Sequence, residues 1–113
     1  MSRVFAVHQP TGRDRATGAI KPTMDLTPAL EYGELRFILR EWENPFSDIG
    51  ATLTEVRRVL GSEMRAGDWL LLVGNPVLIG LVAVVAAELF DDFRVLQWDR
   101  TVHQYLPVVT QLR

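Results

Sequence analysis

The feature that most limits what this chain can fold into is the run "WLLLVGNPVLIGLVAVVAAEL", from Trp69 to Leu89. Trp69 to Ala87 is nineteen residues without a charge, long enough as a helix to cross a bilayer core. Gly74-Asn75-Pro76 interrupts it after five apolar residues, and Glu88 arrives twelve residues beyond Pro76. Neither half spans a membrane alone. The run reads better as a strand, a turn and a buried helix. "DWLLLVG" has no polar alternation, as expected of a strand covered on both faces. Asn75 is the expected helix cap, and Pro76 occupies the first helical position, where its missing N–H is not needed.

The helix after Pro76 has almost no polar side before Glu88. Gly80, Ala83 and Ala87 form a smooth strip, and Val77, Leu78, Leu81, Val82, Val85 and Leu89 supply the bulk around it. Such a helix needs cover from something besides the sheet: a loop, the terminal hairpin or a second copy of the chain. A homodimer is therefore an expectation.

The remaining segments fit around that core. "RVFAVHQ" reads as a strand, and residues 10–23, rich in Gly, Pro and Thr, as a long and potentially mobile loop. Thr27 and Pro28 open a single helical turn closed by Gly33, and "ELRFILREW" alternates as a strand with Leu35, Phe37 and Leu39 on one face. Ile49, Leu53, Val56, Leu60 and Met64 recur at helical spacing, with Ser47 as the expected cap and Asp48 beside it. "FRVLQW" and "HQYLPVVTQL" make a closing hairpin, in which Pro107 points to an edge strand. The order β-β-α-β-α-β-β implies a small single α/β domain with a mixed, mostly parallel sheet and a C-terminal antiparallel hairpin. A three-layer arrangement leads. Two layers follow if both helices share one face.

At 113 residues, 48% hydrophobic and 23% charged, the composition suits one soluble core. The absence of cysteine excludes disulfides, thiolate metal sites and cysteine nucleophiles. "MSRVFAVHQP" holds only a four-residue apolar run, short of a signal peptide, so a cytoplasmic location is expected. The formal net charge is −2, which does not favour tight nucleic-acid binding. Its distribution is uneven: Arg3, Arg13, Arg15 and Lys21 precede an acidic belt that includes Glu31, Glu34, Glu41 and Glu43.

Candidates for chemistry are few. His8 and His103 each stand at a strand end without a partner at metal-ligand spacing, and a lone histidine there is usually structural. Asp91 and Asp92 read as a solvated turn, and no nucleophile, zinc or phosphate-loop motif is present. No metal and no cofactor is expected. Gly74 and Asn75 lie beyond a strand's carboxyl end, where parallel sheets bind ligands, so they could hold a nucleotide or small anion with Arg13 or Arg15 folding over it. Phosphodiester chemistry is one form of that reading. Trp98 and Tyr105 could stack single-stranded bases, or simply form a cross-strand pair.

Two stretches carry a resemblance. "MDLTPALEYGEL" supplies Asp25, Leu26, Thr27, Pro28, Tyr32 and Gly33, and the second supplies Gly74, Pro76 and Gly80, then Leu96, Gln97, Trp98 and Tyr105. Together they resemble a group of small α/β proteins encoded by tailed bacteriophages and prophages of proteobacteria. The matching positions are turns, caps and core, so the resemblance implies context rather than an activity. That context is a phage-type protein in a bacterial cytoplasm that binds and redirects a host or phage protein. The surface expected to make that contact is the acidic belt, Glu31, Glu34, Glu41 and Glu43, with Trp98 and Tyr105 of the hairpin.

Overall fold

The computed structural model describes residues 2–40 and 44–113. Strand β1 is Arg3–Ala6, β2 is Thr11–Arg13, β3 is Ile20–Pro22 and β4 is Glu34–Phe37, with a 3₁₀ helix at Thr27–Tyr32 before β4. Helix α1 (Ile49–Glu63), β5 (Trp69–Leu71), helix α2 (Pro76–Leu89), β6 (Asp92–Asp99) and β7 (Gln104–Gln111) complete the chain. Five strands form the main sheet in the order β4-β1-β5-β6-β7. All neighbours are parallel except β6 and β7, which pair antiparallel from Asp92–Gln111 to Asp99–Gln104. The fold is the expected α/β type, with a mixed, mostly parallel sheet ending in a hairpin.

The layering departs from the leading expectation, because both helices lie on one face. The β4-to-β5 and β5-to-β6 crossovers move the same way across the sheet, and right-handed crossovers in one direction place their helices on the same side. There Phe5, Val7, Leu70 and Val95 meet Val56, Val59 and Leu60 of α1 and Leu78, Val82 and Val85 of α2. The β1-to-β4 step runs the opposite way, so its connection covers the other face. A 3₁₀ helix does this work in place of an α-helix, laying Ala29 and Tyr32 over Val4, Ala6, Leu71 and Leu96. Tyr32 reaches far enough for its hydroxyl to donate to the Tyr105 carbonyl of β7, at 2.9 Å.

The helix caps follow the local chemistry. The Asn75 side chain accepts the Val77 N–H at 2.8 Å, as expected. In α1 the cap is Asp48, which accepts from the Ala51 N–H at 3.1 Å, whereas Ser47 donates its hydroxyl to the Asn44 carbonyl at 2.9 Å. The buried stripe of α1 holds Val56, Leu60 and Met64 as expected, with Leu53 packed partly against the core, and it is wider than expected. Ile49 is exposed, while Thr52 and Val59 are buried beside Val56 and Leu60. Gly33 closes the 3₁₀ helix at φ +148°, and a Cβ there would fall on the Ser2 carbonyl oxygen, so no other residue fits without moving β1.

The segment 10–23, expected as a loop, contains a short antiparallel ribbon in which Thr11 pairs with Pro22 and Arg13 with Ile20. Its turn is held by Asp14, whose carboxylate accepts from the Ala16 N–H at 2.8 Å and from Lys21 Nζ at 2.8 Å. Lys21 and those backbone donors hold the Asp14 carboxyl below its ordinary range. No helix among the described residues is long and apolar enough to cross a membrane.

Candidate functional site

Strand β1 connects onward to its neighbour on one side, and β5 connects onward to its neighbour on the other. The strand order therefore reverses between them, and in open parallel sheets such a reversal leaves a crevice beyond the carboxyl ends, where ligands bind. This protein has that crevice, with a volume of about 310 Å³. His8, Gln9, Pro10 and Thr11 come to it from the end of β1, and Gly74, Asn75 and Leu78 from the end of β5 and the start of α2. Leu39, Arg40, Pro45 and Phe46 close the third side.

His8 is fixed there by two neighbours. Its Nδ1 lies 3.3 Å from the Gln9 carbonyl oxygen, a geometry that suits an Nδ1–H donor. Its Nε2 faces Gly74, where an added Cβ would come within 2.7 Å. Gly74 also has φ +113°, a conformation that side chains strain to adopt. The glycine therefore serves the turn and the seat of the imidazole together.

The start of α2 offers less to an anion than its position suggests. Pro76 carries no N–H, and the Val77 N–H is taken by the Asn75 side chain. Positive charge instead enters through Arg40, which lies between this crevice and a neighbouring hollow lined by Asp48 and Glu55. Arg58 chiefly, with Arg40 adding a smaller share, holds the Glu55 carboxyl below its ordinary range.

The other residues singled out from sequence are dispersed. Arg13 sits on the ribbon and donates to the Gly18 carbonyl at 3.1 Å, and Arg15 is exposed in the ribbon turn; neither lines the crevice. Glu31 and Glu34 are exposed at the 3₁₀ helix and the start of β4. Glu41 and Glu43 lie outside the described residues. Trp98 and Tyr105 face each other across the hairpin with ring centroids 5.0 Å apart. Tyr105 is only 3% exposed, and burial pushes its hydroxyl pKa upward. His103 packs edge-on to Trp98. No cluster of metal-ligating side chains occurs among the described residues.

The opposite end of the sheet is closed by charge. Asp68 is buried and accepts the Arg3 N–H at 2.9 Å and the Arg65 N–H at 2.8 Å. Glu63 receives Arg36 through two bonds, Nε to Oε1 at 2.8 Å and Nη2 to Oε2 at 2.9 Å, and Arg3 approaches the same carboxylate at 3.5 Å. The Arg36 guanidinium holds the Glu63 carboxyl below its ordinary range, and Arg36 is raised in turn by that pairing. Every one of these groups has a protein partner, so the cluster is a lock between β1, β4, α1 and β5.

Sequence reasoning set His8 aside and did not select Arg40 or Phe46. The usable signal was that "VHQ" and "VGN" each follow a strand. Only the strand order shows that those two strands are neighbours.

Exposed apolar side chains gather elsewhere. Register places Leu106 and Val108 of β7 on the helix side, opposite Gln97 and Val95, and they are 41% and 40% exposed. On α2, Val77 and Val84 are each 58% exposed, with Gly80 between them. No curated protein and no solved structure matches the chain. Residues 2–112 match a protein family, described as Phage Pam3 gp32-like protein.

Proposed function

We propose that this chain, which belongs to the phage Pam3 gp32-like family, is a non-enzymatic accessory protein that binds a host or phage protein in the bacterial cytoplasm. The observation that carries this reading is β7. It is an eight-residue edge strand whose outer side has no strand beside it, and it exposes Leu106, Val108 and Val109. Soluble proteins usually blunt such edges with charge, proline or short length, and proteins that leave one open commonly receive a partner's strand there. Pro107 removes one donor from this strand without adding charge. The exposed Val77 and Val84 of α2 add apolar area on the helix layer, on the strip that continues to Glu88.

This reading moves the expected contact surface. Tyr105 is buried, so the hairpin would contribute the outer face and edge of β7 rather than the aromatic pair. Glu34 opens β4 at the opposite edge of the sheet, so the surface proposed here leaves it out.

A photo-crosslinking amino acid at Val108 or Val84, with the exposed Arg15 of the ribbon turn as a control position, tests the proposal in phage-infected cells. A discrete adduct from Val108 and Val84 that is lost in Leu106→Lys/Val108→Lys protein is expected. Equal adducts from all three positions, or none, would refute it. An adduct of twice the chain's own mass would identify the partner as a second copy.

A further inference from the structure

We infer that the crevice between the ends of β1 and β5 is a binding site for a small phosphate monoester carrying a flat ring, the size of a mononucleotide. Its position is the first reason: it lies where the strand order reverses, the place where open α/β sheets bind ligands. Its lining is the second. One part is polar and cationic, with His8, Gln9, Thr11, Arg40 and Asn75; the other is apolar, with Leu39, Pro45, Phe46 and Leu78. A ligand matching both parts has an anionic group and a flat apolar one.

The third reason is the seat of His8. With Nδ1 turned to the Gln9 carbonyl, Nε2 is the ring atom left toward Gly74, and both residues line the crevice. An imidazole N–H donates to an oxyanion. Phe46 is exposed at the rim, where a ring can stack on it. A volume of about 310 Å³ is at the lower end of small-molecule pockets, so a dinucleotide does not fit inside. The ligand is held by these walls and not by the helix start, whose Val77 N–H is already taken.

Titration of the folded protein with AMP, UMP, adenosine and inorganic phosphate, followed by NMR at the His8 ring and the Gly74 and Asn75 amides, tests the inference. A mononucleotide should shift all three sets of resonances and raise the melting temperature. Adenosine and inorganic phosphate should each bind at least about tenfold more weakly, a difference of about 1.4 kcal/mol. His8→Gln should weaken the mononucleotide by about tenfold or more. If that variant does not fold, Arg40→Gln supplies the same comparison from the opposite wall. Absence of shifts at about 10 mM of every probe, affinity unchanged in the folded variants, or adenosine binding as tightly as AMP would each overturn it.

Discussion

Asp68 shows how much one side chain can hold in a chain this small. Its carboxylate is buried and takes two backbone N–H groups from separate segments, Arg3 at the start of β1 and Arg65 after α1. Hydrogen bonds to a charged acceptor each contribute about 1.5–3 kcal/mol, and losing the acceptor leaves both donors unsatisfied. Asp68→Ala should therefore cost about 3 kcal/mol or more in urea denaturation, and Asp68→Asn clearly less, because the amide oxygen keeps one partner. Equal losses would mean that charge, not acceptance, is what matters there. Glu63 adds a pH dependence. Its folded pKa is depressed by Arg36, so its stabilising effect is complete above the ordinary glutamate range. The effect is lost as pH falls through the depressed folded value. Arg36→Gln should accordingly flatten the acid limb of the stability curve between those two values and leave its neutral-to-alkaline part unchanged in shape.

At the scale of elements, the two helices differ in how far sequence revealed them. The start of α2 was legible because Asn75 and Pro76 act locally, through a side-chain cap and a missing donor. The buried face of α1 was less so. Ile49, Leu53, Val56, Leu60 and Met64 satisfy helical periodicity, but periodicity does not show how wide the covered face is, and Ile49 is exposed while Thr52 and Val59 are buried. The β2–β3 ribbon was not legible, since its two three-residue strands bury no apolar face and signal themselves by no alternation. Two helical glycines give a measurable contrast. An added Cβ meets nothing within 4 Å at either Gly61 in α1 or Gly80 in α2. Each Gly→Ala change should thus stabilise the isolated protein by up to about 1 kcal/mol, read from chemical denaturation. If α2 is part of the docking surface, Gly80→Ala should also reduce crosslinking from Val84, whereas Gly61→Ala should not. Equal effects on crosslinking would remove α2 from that surface.

Across the whole molecule, strand order is the property that the linear sequence carried least. The β-β-α-β-α-β-β order named the fold class, yet the layering and the crevice depend on which way each crossover steps, and that is settled by tertiary packing. The same order places Val4 to Val7 between β4 and β5, fully buried on both faces, while the ribbon pairs only with itself. In hydrogen exchange, amides of Val4 to Val7 and of Leu70 and Leu71 should open only with global unfolding, and those of 11–22 should exchange with little protection. A ribbon protected as strongly as β1 would contradict this account. The two ends of the sheet are built on different terms. One is closed by the Asp68 and Glu63 bonds, which join four elements. The other carries the ribbon, the 100–103 turn and the rim of the crevice, none of which supports the central strands. Heritable change therefore meets unequal resistance along the strand axis. Lengthening or rewriting the ribbon and the hairpin tip should leave the fold standing, so a lineage can revise the surface at this end without rebuilding the fold that presents it.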